Sequence, residues 1–148
     1  MYTAVLILHS WLRWAALALG IVATMSAFTD RAGGRTDRAG LLFMMALDTQ
    51  MLLGLLLYLV LSPVTAAALK DMGAAMHVSS LRFFAVEHTS MMFLAIVLAH
   101  VGRVLARRAT SPAAKRRRQL ICFGLSTVLM IVAIPWPGTP NGRPLFRL

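Results

Sequence analysis

The stretch RFFAVEHTSMMFLAIVLAHVGR, residues 82–103, decides the fold class. It is long and apolar enough to form one helix through hydrocarbon, because about 20 apolar residues cover a core ~30 Å thick. Yet it carries Glu87, His88 and His100, and Arg82 and Arg103 close its two ends. Ionisable groups in hydrocarbon are costly, so each of these needs a partner, a proton or a bound group.

Outward from this stretch, the rest of the chain has the same character. Four apolar runs stand at about 4–28, 41–61, 81–101 and 119–134. The fourth is short, but its basic flank Lys115–Arg118 can snorkel and Trp136 can sit at the far interface. Trp11 and Trp14 read as interface anchors of the first run. The whole chain of 148 residues is 59% hydrophobic, with a mean hydropathy of +0.74. That excludes ordinary soluble usage and predicts an all-α integral membrane protein of one domain, an antiparallel four-helix bundle. Nothing basic precedes the first run, which is long enough to span, so it reads as a helix and not as a cleaved signal.

The net charge is +10. Nucleic acid is not the expected partner, because the Lys and Arg residues lie between apolar runs, where membrane topology explains them. TDRAGGRTDR holds Arg31, Arg35 and Arg38, and GRVLARRATSPAAKRRR holds seven cationic residues. The segment between runs two and three has Lys70 alone, and the tail has Arg143 and Arg147. The positive-inside rule then predicts a multi-pass protein of the lipid bilayer with both basic loops in the cytoplasm and both termini outside, which is the periplasm if the membrane is the inner membrane of a Gram-negative bacterium. VTAAALKDMGAAMHVSS, residues 64–80, predicts a short interfacial helix, with Ser79 or Ser80 capping the third span. Ser62-Pro63 and Pro135 end spans two and four. Residues 138–148 read as an irregular outer tail. The lone Cys122 rules out an intrachain disulfide and a cysteine-based cluster.

The polar residues are sorted by depth. With a rise of ~1.5 Å per residue, His9 lies on the order of 9 Å below the outer end of span one, and His88 on the order of 10 Å below that of span three. Two imidazoles at similar depth on two inward-running helices point to a flat cofactor held between them, and neutral imidazole is a common axial ligand of haem b. His9, Arg13, Gly20 and Thr24 share a face of span one; His88, Met92, Ala95 and Ala99 share one of span three. Gly20, Ala16 and Gly54 are small enough for close approach. Arg82, His77 and Arg143 are the cations near the outer surface for haem propionates. His100 lies about 18 Å along the helix from His88 and about 120° around it. No second bis-histidine haem is therefore expected; Asp48 and Gln50 are the nearest polar residues at the inner depth.

Plainer roles compete. His9 and His88 would then be interior histidines bonded to Glu87, Ser10 or a backbone carbonyl. Glu87 and Arg13 are expected to pair across spans one and three. Asp48 needs a proton or a partner, Arg13 or His100, and a proton relay through it is a further alternative. The ten methionines include the adjacent pairs Met44-Met45 and Met91-Met92. They read as core filling before soft copper ligands. The KRRR run reads as a topology determinant that also suits anionic headgroups. No nucleophile, base and orienting group assemble into a catalytic set.

LHSWLRW, QMLLGLLLY followed by SP, the quoted third stretch, and IPWP with GRPLFR at the end together resemble small bacterial four-span membrane proteins, some labelled cytochrome b-like. The resemblance covers nearly the whole chain and implies His9 and His88 as axial ligands. The expected function is electron transfer through one bis-histidine haem b near the outer face, with Glu87 and Arg13 tuning it or positioning a quinone. One alternative is a cofactor-free accessory subunit of a larger respiratory or photosynthetic complex. Another is proton or small-solute transport through Asp48, Glu87 and His100, against which stands the absence of a visible repeat.

Overall fold

The computed structural model describes residues 1–29 and 34–146. Arg31 and Arg147, two of the cations used for orientation, lie outside the described residues. Among those described, every regular element is helical. They are α1 (Tyr2–Thr29), α2 (Gly34–Leu61), α3 (Pro63–Lys70), α4 (Met72–Met76), α5 (Ser79–Arg107) and α6 (Pro112–Ala133). Three of them, α1, α2 and α5, are long and apolar enough to cross a membrane. The apolar part of α6, from Gln119 to Ala133, falls short of the ~20 residues a span needs.

The helices overrun the apolar runs that announce them. α2 starts inside the first basic loop and α5 continues to Arg107, because a helix persists into polar surroundings where hydropathy carries no signal. The turn before α6 is correspondingly tight. Ser111 caps that helix by accepting from Ala114 N at 3.2 Å, and Pro112 occupies its first turn, where a missing N–H costs nothing.

α1 packs on α2 and α6, and α5 packs on α6 and α2. Their core is built from Ala16, Ala23, Phe43, Leu47, Ala95, Ala99, Phe123 and Met130. Phe43 and Phe123 meet edge to face with centroids 6.2 Å apart. Glycine lets the helices close on these rings: a Cβ on Gly40 would stand 2.5 Å from Phe123 Cζ. Gly20 likewise faces Phe43 and Thr127, so it serves helix packing and not a cofactor ring. One end is tied by charge. Asp37 takes Lys115 and the Gln119 amide, and its carbonyl takes Arg103.

At the opposite end the chain folds over itself. Two short helices, α3 and α4, stand where one was expected, capped by Ser62 and Asp71. Ser79 does not cap α5. Val78 holds the cap position without a side-chain bond, and Ser79 Oγ instead meets Asn141 Oδ1 at 3.0 Å. The tail turns back at Gly138, whose φ of 85° suits glycine. It returns to α1, where Leu145 O accepts from Arg13 (2.7 Å) and the Trp14 indole (3.1 Å).

Two helices contain a π turn, Leu57–Leu61 at the end of α2 and Phe83–Glu87 near the start of α5. A π turn aligns residues five apart. Arg82 therefore meets Glu87 at 2.7 Å, and Thr89 Oγ1 reaches Phe84 O. Tyr58 joins the two turns: its hydroxyl donates to Ala85 O at 3.1 Å, and its carbonyl accepts from Thr65 Oγ1 at 2.8 Å.

Candidate cofactor site

Between the four long helices and the returning tail lies a cavity of about 310 Å³. His9 and Arg13 face it from α1, Gln50 and Gly54 from α2, His88 and Met92 from α5, and Met130 from α6. Arg143, from the tail, and Tyr2, from the first turn of α1, complete it. Among the described lining residues two are arginines and none is acidic.

The two imidazoles stand across this space with ring centroids 6.5 Å apart and planes 67° from parallel. An iron with two nitrogens at ~2 Å, each about 1 Å from its ring centre, would hold two centroids about 6 Å apart. The pair therefore fits a bis-imidazole centre in spacing.

His88 is fixed by its other nitrogen. Nδ1 lies 2.9 Å from Ala133 O. A carbonyl only accepts, so Nδ1 carries the hydrogen and Nε2 of the neutral ring keeps its lone pair. Ala133 O is open because the residue four places on is Pro137, which has no N–H. Pro135 does the same for Ile131 O, which takes Ile134 N and the Trp136 indole at 2.9 Å. The interior-histidine reading thus meets the backbone carbonyl it called for, and so does a metal ligand oriented by its second nitrogen.

His9 is positioned differently. Gln50 Nε2 donates to the His9 carbonyl at 2.9 Å, and Gly54 stands beside the ring, where an added Cβ would make ordinary contact with His9 Cε1 at 3.4 Å. Gln50 is only 4% exposed. His9 Nδ1 and Gln50 Oε1 are both buried without a hydrogen-bond partner among the described residues. Both residues line the cavity, and a buried polar atom without a partner is rare enough to mark the place.

Other candidates are placed elsewhere. The expected Glu87–Arg13 pair is corrected: Glu87 takes Arg82, while Arg13 reaches the tail carbonyl and its own neighbour Trp14. Arg82 also donates to Met76 O at 3.0 Å, so it fastens α4 and does not line the cavity. Arg143 does line it, lying over the Phe84 ring at 5.2 Å. Asp48 and His100 pair with each other at 3.4 Å, outside the cavity lining. Gly20 and Thr24 sit deeper along α1, and Thr24 Oγ1 meets Thr127 Oγ1 at 3.5 Å. Tyr58 was not singled out from sequence, and only its place just before Ser62-Pro63 hinted at it.

No family model, no curated protein and no solved structure matches this chain.

Proposed function

We propose that this chain is a haem-b-binding electron-transfer protein of a bacterial cytoplasmic membrane. In this reading its four long helices form an antiparallel bundle across the bilayer, with α6 completing its span through snorkelling Lys115–Arg118. The basic loops face the cytoplasm, and the termini with the tail face outward. The observation that carries the reading is the His9–His88 pair, facing each other over a cavity at 6.5 Å.

A bound haem would supply reversible one-electron chemistry. The residues of the chain do the rest. His9 and His88 would hold the group. The Ala133 carbonyl, by accepting from His88 Nδ1, fixes that ring's orientation and raises its basicity as a ligand. Arg13 and Arg143, the two cations of the lining, would meet the propionates; Arg143 is one of the three cations expected there, and Arg82, another, stands outside the lining. Met92, Met130 and Ile96 give the remainder an apolar wall that keeps water away. Electron exchange occurs on the outer side, with a quinone or a larger membrane complex. The transport reading loses support because Glu87 is held by Arg82 and not with Asp48 and His100.

The test is an optical spectrum of the detergent-purified protein, oxidised and then reduced with dithionite. Sharp reduced α and β bands are expected, lost in His88→Ala and in His9→Ala. A flat visible spectrum from cells supplied with haem would overturn the proposal and leave the accessory-subunit reading.

A further inference from the structure

Asp48 and His100 face away from the cavity. His100 Nε2 stands 3.4 Å from Asp48 Oδ1, and the two side chains are 43% and 39% exposed respectively. Asp48 lies midway along α2, one of the helices long enough to cross a membrane. The outward positions around the pair are apolar and exposed: Met45 and Leu52 on α2, Phe93, Val97 and Val104 on α5. This stripe would suit lipid if the acid and base were not in its middle. Lipid tails offer a half-exposed carboxylate and imidazole nothing to bond. The outward face of α6, with Ile121, Leu125, Val128 and Val132, carries no such pair and suits lipid as it stands.

We propose that the α2–α5 face is the interface between two copies of this chain, related by a two-fold axis along the membrane normal. An acid beside a base is self-complementary under such an axis: Asp48 of one copy meets His100 of the other, and the reverse. Within one chain the contact is long for a charge-assisted hydrogen bond, which prefers ~2.7–2.9 Å. His100 Nδ1 donates to Ile96 O at 3.0 Å, so the other copy's carboxylate would share Nε2–H with the long contact to Asp48 of the same chain. The carboxylate keeps its second oxygen for the other copy. An axis along the normal is the one that leaves the basic ends of both copies on one side. The inference is independent of the cavity and of what it binds.

The experiment uses the full chain in membranes with single added cysteines, treated with a short bifunctional thiol reagent. Buried Cys122 of the unaltered chain is the background. Leu52→Cys and Val97→Cys should give covalent dimers, and Val128→Cys on α6 should not. Replacing Asp48 and His100 together by leucine should weaken the dimer roughly 10-fold in detergent, the scale of interhelical polar contacts. Absence of dimer at both positions 52 and 97, an equal yield at 128, or a dimer unchanged by the double substitution would overturn the proposal. The cysteine variants keep Asp48 and His100, so the cross-linking result stands even where the double variant does not fold.

Discussion

The carbonyl of Ala133 is one of the last in its helix, and the residue that would ordinarily bond it is a proline. His88 takes that acceptor, and its remaining nitrogen is committed to the cavity side of the chemistry. Glycine acts at the same scale, with a different consequence at each position. A Cβ on Gly40 would lie 2.5 Å from Phe123 Cζ and 2.7 Å from Cε2, against a ring that is fully buried and has nowhere to move. Gly40→Ala is therefore expected to cost about 1–3 kcal/mol, the usual penalty of overpacking. A lowered thermal midpoint in detergent would register it. At Gly54 the added Cβ meets the His9 ring alone, Cε1 at 3.4 Å and Nδ1 at 4.0 Å, ordinary contacts. Gly54→Ala should leave the midpoint within the range of ~0.5 kcal/mol that harmless substitutions show. A large loss at Gly54 together with none at Gly40 would contradict this placement of the two glycines.

At the scale of elements, the ends of α2, α5 and α6 carry the site. The apolar runs made four helices and their two facing histidines legible, because run length and rise per residue are enough to set depth. The π turns were not legible. LYLVL and FFAVE differ in no composition rule from their α-helical surroundings, and so the five-residue spacing of Arg82 and Glu87 did not announce a pair. Arg143 was legible as an outer cation, but the cavity that it lines was not, since that depends on a tail that returns to Arg13 and Trp14. Tyr58 fastens the two π turns, and Tyr58→Phe removes one hydroxyl-to-carbonyl bond. A loss of about 0.5–1.5 kcal/mol in unfolding free energy is expected, as for one intramolecular hydrogen bond. The prolines after α6 make a sharper case. Replacing Pro135 and Pro137 together by alanine returns two N–H donors that can extend the helix and claim Ile131 O and Ala133 O. His88 would lose its acceptor. If the chain binds haem as proposed, its affinity for haem should then fall roughly 10- to 100-fold, as when the outer partner of a ligating histidine is removed. Titration of the apoprotein with haemin measures it, and an unchanged affinity would remove Ala133 from the account of the site.

For the molecule as a whole, charge and apolar cavity sit at opposite ends of the same helices. Asp37, Arg103, Lys115 and Gln119 bind together at one end, beside the rest of the basic run. His9, His88, Arg13, Arg143 and the tail gather at the other. Lys and Arg that flank spans stay on the cytoplasmic side, so the charged end should lie in the cytoplasm and the cavity should open outward. The two ends offer exposed positions for a direct test: Thr110, between α5 and α6, and Thr139, in the tail. With Cys122 buried, Thr139→Cys should react with a membrane-impermeant thiol reagent added to intact spheroplasts. Thr110→Cys should react only after the membrane is opened or in inverted vesicles. The reverse pattern would place the cavity on the cytoplasmic side and would overturn the outer-side electron exchange proposed for it. Reaction of both positions from one side would mean that α6 does not cross the bilayer. The apolar stretch from Gln119 to Ala133, shorter than an ordinary span, makes this the part of the architecture on which the labelling bears hardest.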